Sequence, residues 1–156
     1  MSTEVTYLGR AIELAVASVA DGGGPFGAVI VRAGEVIATG QNRVTRDHDP
    51  SAHAEVVAIR TACRVLGTHS LEGCVLYASC EPCPMCLTTS LWARLDEIVY
   101  AADRYAAARS GFDDQAFYEL LGRDRRTWPT LIRQHDVPAA EQPFATWNEL
   151  DDKIGY

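Results

Sequence analysis

Near the start of the chain, apolar positions recur at helical spacing. Leu8, Ala11, Ile12, Ala15, Val16 and Val19 share one face of a 3.6-residue period, which predicts a helix over residues 7–19. The run Gly22-Gly23-Gly24-Pro25 ends it. The period then shortens: residues 26–31 and 36–40 read as strands, separated by a hairpin-like break at Ala33-Gly34. A polar loop over 43–51 contains Asp49-Pro50, and a helix is predicted over 53–66, with Val56, Ile59, Ala62, Cys63 and Leu66 on one face. A short apolar strand at 74–78 leads to a helix over 85–93, and another strand follows at 97–101. The last third predicts a helix over 116–121, a final strand at 131–134 and a closing helix over 144–153. No repeat, low-complexity stretch or linker interrupts this pattern, so residues 1–156 are expected to form one domain.

Strands alternating with long helices imply a sheet covered on both faces. The expected class is α/β, a three-layer α/β/α sandwich around a mixed sheet of about five strands. The first pair should be antiparallel and the later crossovers parallel. Open sheets of this kind bind ligands beyond the carboxyl ends of their strands.

Composition narrows the setting. Apolar residues make up 47% and charged residues 22%, which is ordinary for a globular chain. The formal net charge of −7, with basic residues scattered apart from Arg123, Arg125 and Arg126, argues against a phosphate-binding groove and hence against nucleic acid. A small, free substrate suits the balance better. The apolar stretch 11–20 contains Glu13 and is too short to cross a bilayer, and the first ten residues lack a signal pattern, so a cytoplasmic location is expected. Five cysteines without framework spacing read as reduced thiols, and Cys63, Cys74 and Cys80 are expected in the core.

The chemistry lies in two short motifs. His53-Ala54-Glu55 opens one predicted helix and Pro82-Cys83-Pro84-Met85-Cys86 opens another. Zinc takes His nitrogen and Cys sulfur in tetrahedral geometry, and a catalytic site keeps its fourth position for water. Cys83 and Cys86, three residues apart in a first helical turn, can face one ion, and His53 supplies a third ligand. Glu55 is spaced as a proton shuttle rather than as a ligand. Helix N-termini favour thiolates and developing negative charge. Taken alone, the CxxC pair also fits a redox couple or half of a structural zinc site. A closed structural site needs a fourth ligand that no second CxxC or HxxxH supplies, and a redox pair leaves His53 and Glu55 without a task.

The pattern H-x-E followed by P-C-x-x-C is that of the zinc deaminases, and the chain resembles the cytidine and deoxycytidylate deaminase superfamily along essentially its whole length. The segments PFGAVIV (25–31), GQN (40–42), HAEVVAIR (53–60), SCEPCPMCL (79–87), GFDD (111–114), PFATW (143–147) and the terminal Tyr156 are similar to the guanine deaminases of this fold. That resemblance implies one zinc per subunit on His53, Cys83 and Cys86, and proton transfer by Glu55. It implies substrate recognition by Asn42 and Asp114, with Ala54 beside the substrate. It further implies a homodimer in which a C-terminal segment, about residues 135–156, packs on or exchanges with a partner so that Tyr156 closes the pocket. Phe26 and Trp92, next to the motifs, are expected to wall the ring by stacking.

The activity so implied is hydrolytic removal of an amino group from a cyclic amidine, guanine becoming xanthine and ammonia. The alternatives are the same reaction on cytosine or an aminated s-triazine such as ammeline, tRNA adenosine deamination, and a non-catalytic zinc-binding protein. The acidic surface argues against tRNA, and the intact Glu55 against a silent zinc site. His48, His69 and His135 have no motif context and are assigned no role.

Overall fold

The structure, a computed structural model, describes residues 3–156. Helix α1 (Thr3–Ala20) leads into the hairpin of β1 (Gly27–Arg32) and β2 (Glu35–Gln41). A short helix α2 (Val44–Asp47) precedes α3 (Ala54–Leu66), then come β3 (Cys74–Cys80), α4 (Pro84–Trp92) and β4 (Glu97–Ala102). Helices α5 (Arg104–Arg109) and α6 (Asp114–Leu121), a 3-10 turn at Arg125–Thr127 and α7 (Gln142–Asn148) complete the chain.

The strand order is β2-β1-β3-β4. Strand β1 runs antiparallel to both β2 and β3, and β4 is parallel to β3. Side chains alternate across the central strands. Ala28 and Ile30 of β1 and Leu76 of β3 join Ala54, Ala58, Ile59 and Ala62 of α3 in one core cluster. Val29, Val31 and Tyr77 face the other way, onto Ala11 of α1. The sheet is therefore covered on both faces, as expected for the three-layer α/β/α sandwich.

Two glycines let the layers close. A Cβ at Gly27 would lie 2.2 Å from the Ala11 carbonyl oxygen, and one at Gly40 would lie 2.0 Å from that of Ala54. The second contact seats the start of α3 directly on β2.

The sheet has four strands among the described residues, not about five. Residues 131–134 form no strand. Leu131 and Ile132 are 74% and 53% exposed, and a two-residue apolar run that pairs with neither edge of the sheet has nothing to hold it extended. From Leu121 to Tyr156 every residue except Trp128 is exposed. Among the described residues no helix is long and apolar enough to cross a membrane.

Candidate functional site

His53 and Cys83 occupy the N-cap positions of α3 and α4, both in extended backbone, and Cys86 sits within the first turn of α4. Pro84 opens α4, where the missing N–H costs no helical bond. The Sγ of Cys83 lies 3.5 Å and that of Cys86 3.4 Å from His53 Nδ1, and the sulfurs are 3.6 Å apart. Tetrahedral zinc with ordinary bond lengths sets sulfur–sulfur and sulfur–nitrogen separations of about 3.8 and about 3.6 Å. The three donor atoms thus already have nearly the spacing that the ion imposes. Both cysteines are buried, and His53 is half-buried.

The electrostatics of the triad agree with a metal centre. The Cys83 thiol is pulled down to about 4, first by the hydrogen bond from Cys86 and then by that with His53. Cys86 is pushed up in turn, because the pair shares a proton, and His53 is raised by its bond to Cys83. A cation replacing that shared proton would hold both sulfurs as thiolates. Glu55, 6% exposed, is lifted to about 7 by burial.

A cavity of about 200 Å³ opens beside the triad, lined by Gly24, Phe26, Asn42, Val44, Thr45, His53, Glu55, Cys83, Phe112 and Asp114. That is below the roughly 300 Å³ at which pockets for drug-sized ligands begin. A single small ring system is the scale it suits.

Asn42 is held rigidly. Its backbone N–H donates to the Phe26 carbonyl at 3.1 Å, and its carbonyl accepts from the Ser18 hydroxyl at 3.2 Å. Its Oδ1 accepts from the backbone N–H groups of both Gly24 and Val44, each at 3.3 Å. Two N–H donors on one atom fix the amide's orientation, so Nδ2 is left to the cavity as a donor. It has no protein partner among the described residues. Asp114, first residue of α6, supplies the complementary acceptor, and burial raises its carboxyl.

Phe26, Asn42, His53, Glu55, Cys83 and Asp114 therefore meet at one cavity, with Cys86 completing the triad behind them. Trp92 does not wall it. It ends α4, six residues or about 9 Å beyond Cys86, and lies 59% exposed. Its ring packs on Tyr156 of the same chain, with centroids 5.7 Å apart, and Tyr156 also approaches His69. Within one chain, then, Tyr156 does not reach the cavity. Ala54 is fully buried in the core cluster between α3 and the sheet and does not line the cavity. Phe112 is a wall that sequence reasoning missed; it meets Phe26 edge-on, with centroids 4.8 Å apart. The only signal for it lies in its place beside Asp114 in the GFDD segment.

Residues 1–102 match the model of the cytidine and deoxycytidylate deaminase zinc-binding region. The chain is 49% identical over 154 residues to the guanine deaminase of Bacillus subtilis (strain 168), covering 97% of each. It superimposes on the X-ray structure of guanine deaminase from Bacillus subtilis with a TM-score of 0.93 at 47% identity, again over 97% of both chains. It is also 46% identical over 78 residues to the tRNA-specific adenosine deaminase of Aquifex aeolicus, which spans 50% of this chain and 52% of that one. The first likeness runs through the exposed C-terminal third, and the second covers only half of the chain.

Proposed function

The chain belongs to the cytidine and deoxycytidylate deaminase family, and from that premise we propose that it hydrolyses guanine to xanthine and ammonia with zinc as its cofactor. The observation that carries the reading is a single cavity joining the metal-spaced His53, Cys83 and Cys86 to Glu55, to a fixed donor on Asn42 and to an acceptor on Asp114. The full-length likeness to a guanine deaminase favours guanine over a tRNA adenosine.

His53, Cys83 and Cys86 would hold the ion. When bound, zinc supplies Lewis-acid activation of water near neutral pH. The chain's own groups do the rest. Phe26 and Phe112 bound the flat ring. Asn42 donates to an acceptor on the base and Asp114 accepts a ring N–H; guanine carries both kinds of group, whereas a base offering two donors or two acceptors there leaves one buried partner unpaired. Glu55 takes a proton from the attacking water as the C2–O bond forms. It delivers that proton to the adjacent ring nitrogen, then takes the second one from the new C2 hydroxyl and passes it to the amine; as the C2 carbonyl forms, the C2–N bond breaks and ammonia leaves. One buried carboxyl near neutrality serves as base and then acid.

We further infer a cytosolic homodimer of single-domain subunits, in which the exposed segment of about residues 135–156 packs on or exchanges with the partner and brings that copy's terminal tyrosine to the cavity. The exposed Phe144, Ile154 and Tyr156 support it, since large apolar groups left in water favour a partner surface. The deciding experiment is ammonia release by the zinc-loaded protein from guanine, cytosine, adenine, isoguanine, guanosine, cytidine and ammeline. Guanine should lead, and chelation should abolish its turnover. Cytosine or ammeline ahead of guanine would move the assignment, and turnover that survives chelation would end the zinc reading.

A further inference from the structure

Glu81 lies between the last residue of β3 and the Pro82-Cys83 turn, and its backbone N–H donates to the Ala102 carbonyl at the end of β4. Its carboxylate is occupied by a single residue across the sheet end. Glu81 Oε1 accepts from Arg104 Nε at 3.0 Å and from Nη2 at 2.6 Å, and Oε2 accepts from the Arg104 backbone N–H at 2.9 Å. With that edge of the guanidinium on Glu81, its flat face lies on the Tyr118 ring, its Cζ 3.7 Å from the centroid. The Tyr118 hydroxyl then donates to the Pro82 carbonyl at 2.8 Å. The circuit is closed: metal loop, Glu81, Arg104, Tyr118, and back to the metal loop.

Tyr118 is one helical turn beyond Asp114, so the two share a face of α6. No residue of α6 is fully buried. Burial alone therefore does little to fix where this helix sits, whereas a forked ion pair and a cation stacked on a ring both have defined geometry.

We propose that Arg104 is a positioning residue for substrate recognition: held between the Glu81 carboxylate and the Tyr118 ring, it locks α6 to the loop bearing Cys83 and so keeps Asp114 at the cavity. This rests on the reading of Asp114 as a substrate contact. Arg104 does not line the cavity, and the metal loop keeps its own anchor in the Glu81 N–H to Ala102 carbonyl bond, so the route from Arg104 to substrate runs through Asp114. Lysine cannot replace the fork, because a point charge lacks the two guanidinium donors that converge on Glu81 Oε1 and the flat stacking face.

The test uses the zinc-loaded enzyme with guanine, and compares Arg104→Met, Arg104→Lys, Tyr118→Phe and Asp114→Asn, plus Arg104→Met combined with Asp114→Asn. Arg104→Met should raise KM about tenfold with a smaller fall in kcat and with zinc content unchanged. Arg104→Lys should recover part of the loss, and Tyr118→Phe, which keeps the ring and removes only the tether to Pro82, should raise KM about threefold. In the Asp114→Asn background Arg104→Met should add less than about twofold, because the group it positions is already gone. An unchanged KM in Arg104→Met, or the full tenfold penalty on top of Asp114→Asn, would overturn the proposal. Hydrogen exchange supplies an arm independent of substrate: amides of residues 112–121 should exchange faster in Arg104→Met while those of 84–92 do not, and unaltered exchange at 112–121 would equally overturn it. If the wild type releases no ammonia from guanine, the functional reading fails instead, and the exchange arm still decides the clamp.

Discussion

Gly40→Ala tests whether the site depends on the close seating of α3 on β2. The added Cβ would stand 2.0 Å from the Ala54 carbonyl oxygen and 2.7 Å from the Ala58 nitrogen. The closest ordinary carbon–oxygen approach is about 3.3 Å, so the helix start must move by about 1.3 Å. Both obstacles are backbone, and no side chain can turn aside to relieve them. Overpacking of this kind costs about 1–3 kcal/mol, or more where backbone must shift, which for a chain of this length lowers Tm by about 3–10 °C. The kinetic effect should be larger, because His53 caps α3 and Glu55 is its second residue. A displacement of about 1 Å in a catalytic group costs on the order of a hundredfold in rate. Steady-state kinetics on guanine, zinc content and thermal melting of the variant should show kcat/KM down about a hundredfold with lower Tm and weaker zinc retention. Gly9→Ala is the control: nothing lies within 4 Å of its added Cβ, so it should raise stability by up to about 1 kcal/mol and leave kinetics alone. Wild-type kcat/KM and Tm in Gly40→Ala would refute the reasoning.

Three other outcomes follow from the site. Glu55→Gln should keep its zinc while kcat falls by about 10²–10⁴; a zinc-replete variant with wild-type turnover would remove Glu55 from the proton path. Asn42→Asp should retain the bonds from Gly24 and Val44 but set an acceptor where a donor stood, raising KM about tenfold or more, and an unchanged KM would mean that the amide is not used. Glu81 is held below its ordinary value of 4.5, first by the Arg104 hydrogen bond. Its contribution to stability is thus complete above pH 4.5 and lost as pH falls through the lower folded value, so Glu81→Gln should flatten the acid limb of a Tm-against-pH curve; the same slope in both proteins would exclude the linkage.

What the sequence made legible was mostly what repeats. The six apolar positions from Leu8 to Val19 located α1, and the short apolar runs bounded by turn residues located β1, β2, β3 and β4 to within a few residues at each end. The triad was legible because a metal tolerates few spacings, and His-x-Glu with Cys-x-x-Cys carries that constraint in the residue order itself. Elements without a period were missed. Helix α5 is only six residues long, although its N-cap was readable in principle: Asp103 accepts from the Ala106 N–H at 2.8 Å, ahead of an alanine run that favours helix. Trp92 shows the other limit. Closeness in sequence to Cys86 suggested a wall for the ring, but the helix carries it away from the site along its axis. The orientation of the Asn42 amide depended on Gly24 and Val44, partners eighteen and two residues away, and no local pattern encodes it.

Neither His53 nor Cys83 makes a side-chain bond to the open amide groups of the helix it starts. Serine or aspartate in those places typically adds about 1 kcal/mol per helix. A designer seeking heat resistance by the usual consensus rules would therefore be drawn to these two positions first, and would erase the enzyme in improving the scaffold. The gain has to be sought elsewhere, since here durability and activity compete for the same two residues.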